Sequence, residues 1–404
     1  MMLTLNSNTF EEDLLKTTKE KLMAFLNEHK EECDNIYFDA TNSLIFDKYD
    51  EVKDKNIINQ LFLQSSIFIL TANSFETNIL HLNAIQNKKQ KIKHFIIDLS
   101  NNPRHPLKIN AYSLKIGKYN IIHLVAKQTG SYSMGGSADL VRFVLRNDYC
   151  YPSVFISFGI CFGNNIDDNE IGDTIIVEKI YPYFMSSKVK EDYYFVKDTN
   201  IFEIDSQLDA DIHYLIGKGE LKESNGIFYG NMVTGEAVIS NEIMKKIFIE
   251  AATNQPVLGG EMEGYGLFKE CQGYECSIPC LIIKSICDWG SYKNIDNHSD
   301  VDDNLKDKLQ AYASDKAFKA LSIILNCNKQ ILDVSLYEKI KQKINKKKHE
   351  KVLNIEYILE LIEEYNTPKK IQNKKQLCNY IIVGLIKEKI IRRTHNPEIF
   401  IMEN

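Results

Sequence analysis

The sequence predicts an α/β fold in three layers, with helices on both faces of a largely parallel or mixed central sheet, followed by a small C-terminal α+β domain. Three observations predict it. Between Ser65 and Cys327, short apolar runs of strand length alternate with stretches of helical periodicity. Beyond Cys327 the composition turns lysine-rich and then gives two helical stretches and two short β runs. The chain, at 404 residues, exceeds one ordinary domain, and 44% hydrophobic beside 26% charged residues suffices for a packed core.

The elements follow in order. Residues 1–64 open on an amphipathic pattern, with Leu14, Leu15, Leu22, Met23, Phe25 and Leu26 among Glu and Lys, and Ile36 to Phe46 reads as a short strand and turn. This extension carries no chemical motif and is expected to serve packing or oligomerisation. Residues 65–327 form the main domain. Its expected strands are Ser65–Ala72, Lys93–Leu99, Tyr119–Ala126, Ser153–Phe158, Asp173–Val177, Asn231–Val233 and Cys280–Ile286. Its expected helices are Gly136–Asn147, Asn241–Ala252, Gly264–Cys271 and Leu305–Leu325. Residues 328–350, with the run Lys346-Lys347-Lys348, read as a basic linker or exposed helix. Residues 351–404 give a helix (Ile355–Tyr365), a turn at Thr367-Pro368, a second helix (Lys374–Lys389) and a hairpin through His395-Asn396-Pro397. That order is winged-helix-like.

Charge and cysteine usage narrow the class. The net charge of −6 conceals a split: residues 328–404 hold 16 Lys and Arg against 10 Asp and Glu, so the tail is +6 and the remainder −12. A basic module on an acidic body suggests a tail with its own partner, a protein or a nucleic acid. Nine cysteines occur without a CxxC pair, which argues against a disulfide framework or structural zinc and for a reducing cytoplasm. No apolar run approaches the ~18–20 residues of a membrane span, and the first residues turn acidic rather than forming a signal peptide. Neither a cofactor nor a metal is expected.

The chemistry concentrates where strands end, which is where α/β proteins place ligands. Thr71-Ala72-Asn73-Ser74-Phe75-Glu76 runs from a strand into a helix-like stretch, and Ser157-Phe158-Gly159-Ile160-Cys161-Phe162-Gly163 is a Gly-containing strand end. Gly172-Asp173 and Val233-Thr234-Gly235-Glu236-Ala237-Val238-Ile239 follow, then Gly260-Glu261-Met262-Glu263-Gly264 and Lys284-Ser285-Ile286-Cys287-Asp288-Trp289. Singly, each has a plain reading. Asp288 would serve as a helix N-cap, Met262 and Glu263 as core packing beside a surface carboxylate, and Gly159 and Gly163 as markers of a tight turn.

Taken together and in order, these segments resemble the purine nucleoside phosphorylase and methylthioadenosine/adenosylhomocysteine nucleosidase superfamily over roughly Ser65 to Cys327. The resemblance implies that superfamily's three-layer αβα domain, a homo-oligomer, and a purine nucleoside or nucleotide as ligand. It implies Asp288 as the general acid that protonates the departing base, and Glu76 as the base that activates water. Glu263 would accept hydrogen bonds from the ribose hydroxyls with Met262 beneath the sugar, and Gly159, Ile160, Val238, Ile239, Lys284 and Cys287 would complete the substrate site. The chain departs from the pattern at Lys284, where an arginine is usual, and at Phe162 and Cys287. The fused layout also resembles nucleosidase-domain effectors of bacterial antiviral defence.

Glu76 separates hydrolysis from phosphorolysis, because a carboxylate repels phosphate and no arginine stands beside this strand end. Adenine-type N-glycoside hydrolysis is therefore the first reading. Phosphorolysis is the second, and a non-catalytic nucleoside sensor acting through the C-terminal module the third. Three further segments are open. The glycines around Thr129-Gly130-Ser131 and Gly135-Gly136-Ser137 would offer amides to a phosphate or form a plain loop. The acidic stretch Ser291–Lys308 reads as a solvated lid. Lys369, Lys370, Lys374, Lys375, Arg392 and Arg393 would meet nucleic-acid phosphates or face a docking partner.

Overall fold

The structure, a computed structural model, describes residues 7–42, 48–88, 91–100, 106–183, 201–273, 278–290, 304–327, 332–347, 352–365 and 373–402. The expected turn at Thr367-Pro368, Lys348, Lys369, Lys370, the Leu14 and Leu15 side chains and most of the acidic stretch after Ser291 lie outside the described residues.

The first elements are α1 (Ser7–Asn42), β1 (Tyr49–Glu51), α2 (Lys55–Leu63), β2 (Ile67–Thr71), α3 (Ser74–Lys88), β3 (Ile92–Asp98), β4 (Lys108–Ile116) and β5 (Tyr119–Val125). Next come α4 (Ser137–Arg146), β6 (Val154–Gly163), β7 (Thr174–Pro182), β8 (Phe202–Glu203), α5 (Ser206–Gly217), β9 (Ile227–Thr234), α6 (Glu242–Ala252) and β10 (Gly259–Glu261). The main domain closes with α7 (Gly264–Gln272), β11 (Cys280–Asp288) and α8 (Leu305–Asn326). One mixed sheet runs in the order β1-β3-β4-β5-β2-β6-β10-β9-β7-β11, with β8 beside β7. One core packs α2, α4 and α7 against it, and a second packs α3, α5 and α8.

The mixed central sheet flanked by helices is as expected, and half of it closes on itself. β11 pairs with both β7 and β6, so β6, β10, β9, β7 and β11 close into a ring. The cause lies in β6, which is ten residues long and changes partner along one edge. It pairs with β2 from Val154 to Ser157 and with β10 only at Phe162 and Gly163. The intervening residues leave that edge without a strand partner, and Gly159 there adopts φ +151°.

The N-terminal extension is part of the main domain. Ile36 to Asn42 continues α1 rather than forming a strand, because Cys33, Ile36, Tyr37 and Ala40 keep the helical spacing and sit against the two cores. β1 then adds a parallel strand to β3 at the sheet edge.

Residues 336–346 are not a linker. They form α9 (Leu336–Lys346), whose Leu336, Ile340 and Ile344 recur every fourth residue and are buried with Tyr337. The lysines occupy the other faces. After it come β12 (Val352–Asn354), α10 (Ile355–Glu364), α11 (Lys374–Lys387), β13 (Ile391–Arg393) and β14 (Ile399–Met402), with an antiparallel sheet in the order β12-β14-β13. These elements share a core that also takes in Leu63 and Tyr151 from the main domain. No helix among the described residues is long and apolar enough to cross a membrane.

Candidate active site

The turn from β2 into α3 is a reciprocal cap. Asn73 Oδ1 accepts from the Phe75 and Glu76 amides, while Glu76 Oε2 accepts from the Ala72 (2.7 Å) and Asn73 (3.0 Å) amides. A glutamate used only as a cap would leave its second oxygen to solvent. Here Glu76 is buried, and its Oε1 accepts from the Ile160 amide at 3.0 Å, one of the amides β6 frees by changing partner. Gly159 makes this approach feasible: a Cβ there would stand 1.9 Å from Glu76 Oε1.

A second carboxylate arrives between β10 and α7. Glu263 Oε2 meets the Lys284 ammonium at 3.0 Å, and both side chains are shielded from solvent. The Glu263 backbone is fixed by the loop before α4. Ser131 Oγ donates to the Met262 carbonyl, Ser137 Oγ to the Glu263 carbonyl, and the Gly130 amide to Glu263 Oε1. Neighbouring amides of that loop, Ser131 and Tyr132, donate to Glu236. The glycine loop thus spends these amides on the protein's own carboxylates.

A third carboxylate, Glu261, was not among the residues the sequence singled out. Its oxygens accept the Glu263 and Gly264 amides at the start of α7. Burial and the Glu263 charge push its carboxyl up to about 7, against the pull of Lys284. Burial likewise raises the Glu76 carboxyl, with Lys284 lowering it and Glu263 raising it. Burial disfavours the Lys284 ammonium, but Glu263, Glu76 and Glu261 outweigh it and hold its pKa above the ordinary lysine range. The Glu261 carboxyl therefore holds a proton near neutrality even with the Lys284 ammonium close by.

Asp288 ends β11 beyond a register shift between Ile286 and Asp288, which leaves Cys287 as the extra residue. Its Oδ1 accepts from the Gly290 amide at 2.7 Å, two residues on, and residues 291–303, where a helix capped by it would begin, lie outside the described residues. Two buried contacts fix the chain after it. Lys245 Nζ donates to the Trp289 carbonyl at 2.8 Å, and Trp289 Nε1 donates to the Asn169 carbonyl at 3.0 Å.

Glu76, Ile160, Val238, Ile239, Met262, Glu263, Cys287 and Asp288 all line one cavity of about 280 Å³. Val238 stands exposed at its mouth, whereas Ile239 is buried. Two expected site residues do not reach it. Gly159 lies behind Glu76, and Lys284 is enclosed beneath Glu263, so its contact is with a carboxylate and not with the cavity. The sequence reading also missed walls: Thr18 and Leu22 of α1 and Leu305, Leu309 and Gln310 of α8 close the opposite side. Asn73 Nδ2 reaches Gln310 Oε1 at 3.1 Å across 237 positions, a pairing that no local pattern announces. Glu261 had a signal, since it stands two residues before Glu263 in the same quoted segment.

No protein-family model matches the chain, and no curated protein matches it. Among solved structures it is similar to 5′-methylthioadenosine/S-adenosylhomocysteine nucleosidase from Neisseria meningitidis, at 15% identity over 65% of this chain and 99% of that one, with a TM-score of 0.48. It is similar to the Streptococcus pneumoniae MTA/SAH nucleosidase at 16% identity, over 65% and 99% of the two chains, with a TM-score of 0.47. Futalosine hydrolase of Helicobacter pylori gives 15% identity over 65% and 97%, with a TM-score of 0.48.

Proposed function

We propose that the chain is a nucleosidase that hydrolyses the N-glycosidic bond of an adenine-type purine nucleoside or nucleotide. The observation that carries this reading is the convergence of Glu76, Glu263 and Asp288 on one cavity, reached from three separate strand ends. Cleavage leaves oxocarbenium character on the ribose and negative charge on the base. Asp288 donates a proton to the departing base, and Glu263 accepts the ribose 2′ and 3′ hydroxyls over Met262. Glu76 Oε1, which accepts one amide hydrogen bond among the described residues, takes the proton of the attacking water. Lys284 neutralises the carboxylates beneath.

Electrostatics favours water over phosphate as the nucleophile. Glu76, Glu261 and Glu263 all line the cavity and share one buried ammonium, and the glycine-loop amides that suit an anion already hold Glu236 and Glu263. Free base and a sugar bearing a 1-hydroxyl are expected from phosphate-free buffer at full rate, scored by chromatography. A strict phosphate requirement would replace this reading with phosphorolysis. In the wider proposal, hydrolysis of a cellular nucleotide serves antiviral defence, and the C-terminal module is a winged-helix-like docking element.

That module has a core largely its own, and it is seated on the main domain through Leu63 and Tyr151 and through hydrogen bonds from Gln60 to the Tyr380 carbonyl and from Gln376 to Tyr149 Oη. Leu332 and Asp333 are held by the main domain, through Tyr119 Oη to the Leu332 carbonyl and Ser66 Oγ to the Asp333 carbonyl. The C-terminal core begins only at Leu336, apart from its two residues from the main domain, Leu63 and Tyr151. Several of its lysines are already paired, Lys374 with Glu363 and Lys343 with Glu364, which favours protein docking over nucleic acid. Truncation after residue 335 is expected to leave a folded, active domain whose oligomer size changes on a sizing column. An insoluble product, or one unchanged in size and activity, would count against a separate docking module.

A further inference from the structure

Four polar contacts, three of them buried and the first half-buried, run in line from the edge strand to the Glu76 turn. Tyr49 Oη lies 3.0 Å from His81 Nδ1, and His81 Nε2 lies 2.9 Å from His123 Nδ1. His123 Nε2 then lies 2.8 Å from Thr71 Oγ1, and Thr71 Oγ1 lies 2.8 Å from Thr77 Oγ1. Both histidines are fully buried, and Thr71 and Thr77 nearly so. Such polar groups cost several kcal/mol to bury unless each finds its partner. A hydrophobic core needs none of them, so their presence calls for a role.

Their endpoint suggests it. Thr71 is the last residue of β2 and Thr77 lies in the first turn of α3, so their hydroxyl contact ties together the two ends of the turn that contains Ala72, Asn73 and Glu76. The amides of Ala72 and Asn73 are those that hold Glu76 Oε2. Among the described residues the Glu76 carboxylate is held by the Ala72, Asn73 and Ile160 amides and not by the array, which therefore acts on the turn and not as a proton path to Glu76. Burial keeps both imidazoles neutral, pushing His81 well below its ordinary value and His123 down to about 3. A neutral imidazole donates through one nitrogen and accepts through the other, so each ring passes a direction to the next. With Tyr49 donating to His81, His81 donates to His123 and His123 to Thr71, which leaves the Thr71 hydroxyl to donate to Thr77.

We propose that Tyr49, His81, His123, Thr71 and Thr77 are positioning residues for Glu76: they clamp the turn whose amides aim its carboxylate into the cavity. This rests on the nucleosidase reading for its kinetic consequence, but not for its structural one. It also gives the N-terminal extension a part in the chemistry, since Tyr49 belongs to β1.

The test uses the full chain with Thr71→Val, which keeps the shape and removes the shared hydroxyl, and His123→Gln against His123→Leu. Glutamine retains a donor toward Thr71 whereas leucine retains none. Thr71→Val and His123→Leu are expected to lower kcat about tenfold per folded molecule with KM within about twofold, and His123→Gln to recover most of it. Because loss of amide hydrogen bonds disfavours the ionised carboxylate, the acidic limb of the pH profile moves to higher pH in the two deficient variants. The Glu76 carboxyl carbon, followed by NMR and assigned with Glu76→Gln, titrates higher in those same variants. That signal is read whether or not the wild type hydrolyses nucleosides, so an inactive wild type would reject the nucleosidase reading alone. Variants that lose melting temperature while kcat, the acidic limb and the Glu76 titration stay as in the wild type would overturn the clamp.

Discussion

Asp288→Asn is expected to lower kcat by about 10²-fold or more while the affinity for the free base changes little. Asparagine keeps the side-chain size and still offers Oδ1 to the Gly290 amide, the contact that holds Asp288 in place. The Lys245 and Trp289 anchors on the following residues do not involve the carboxylate, so the local backbone stays where it is. What disappears is the transferable proton. Turnover is read by chromatography of released base and affinity by calorimetry with the base as ligand. Turnover near that of the wild type would remove Asp288 from the mechanism. An equal loss of affinity and turnover would assign it to binding instead.

The parts of this site that were legible in the sequence are those set by local pattern. The apolar run Cys280–Ile286 marks β11, and the change from Gly259-Gly260 to the helical spacing after Gly264 marks where Glu263 must stand. Strands with weaker local signals went unread. β4 is the example, with Lys, Asn and Ser among its apolar residues. For α9 the lysine-rich composition left linker and exposed helix both open, and the stripe of Leu336, Ile340 and Ile344 is what makes it a helix with one buried face.

Other features depend on contacts between distant segments. The ring closure needs β11 to meet β7 and β6 together, and the far wall of the cavity comes from α1, more than 200 residues before α8 in sequence. Lys284 shows the limit at a single residue. Its position on β11 could be read, but whether its ammonium faced the ligand or a carboxylate depended on where Glu263 arrives from another strand end. Had it faced the cavity, it would have favoured an anionic nucleophile. Enclosed at 3.0 Å from Glu263, it instead allows three acidic groups to coexist in one small volume.

Gly159→Ala, one methyl group on a strand, is expected to cost about as much activity as removing the Glu76 carboxylate, roughly 10²-fold in kcat. The added Cβ would stand 1.9 Å from Glu76 Oε1 and 2.2 Å from its Cδ, closer than any contact that real atoms make. It would also carry φ +151°, a conformation that side-chain-bearing residues resist. Either Glu76 leaves, or β6 shifts and the Ile160 amide goes with it. Both outcomes break the 3.0 Å hydrogen bond that aims Oε1. A second background separates this collision from a general effect on the strand. In Glu76→Ala the carboxylate is absent, so the same methyl meets far less, and Gly159→Ala should then add only the backbone penalty to the loss of melting temperature. Strong non-additivity between the two substitutions, in both kcat and melting temperature, is therefore expected for groups in direct contact. Additive losses, or a Gly159→Ala enzyme that turns over like the wild type, would show that Glu76 does not occupy the place from which it is proposed to activate water.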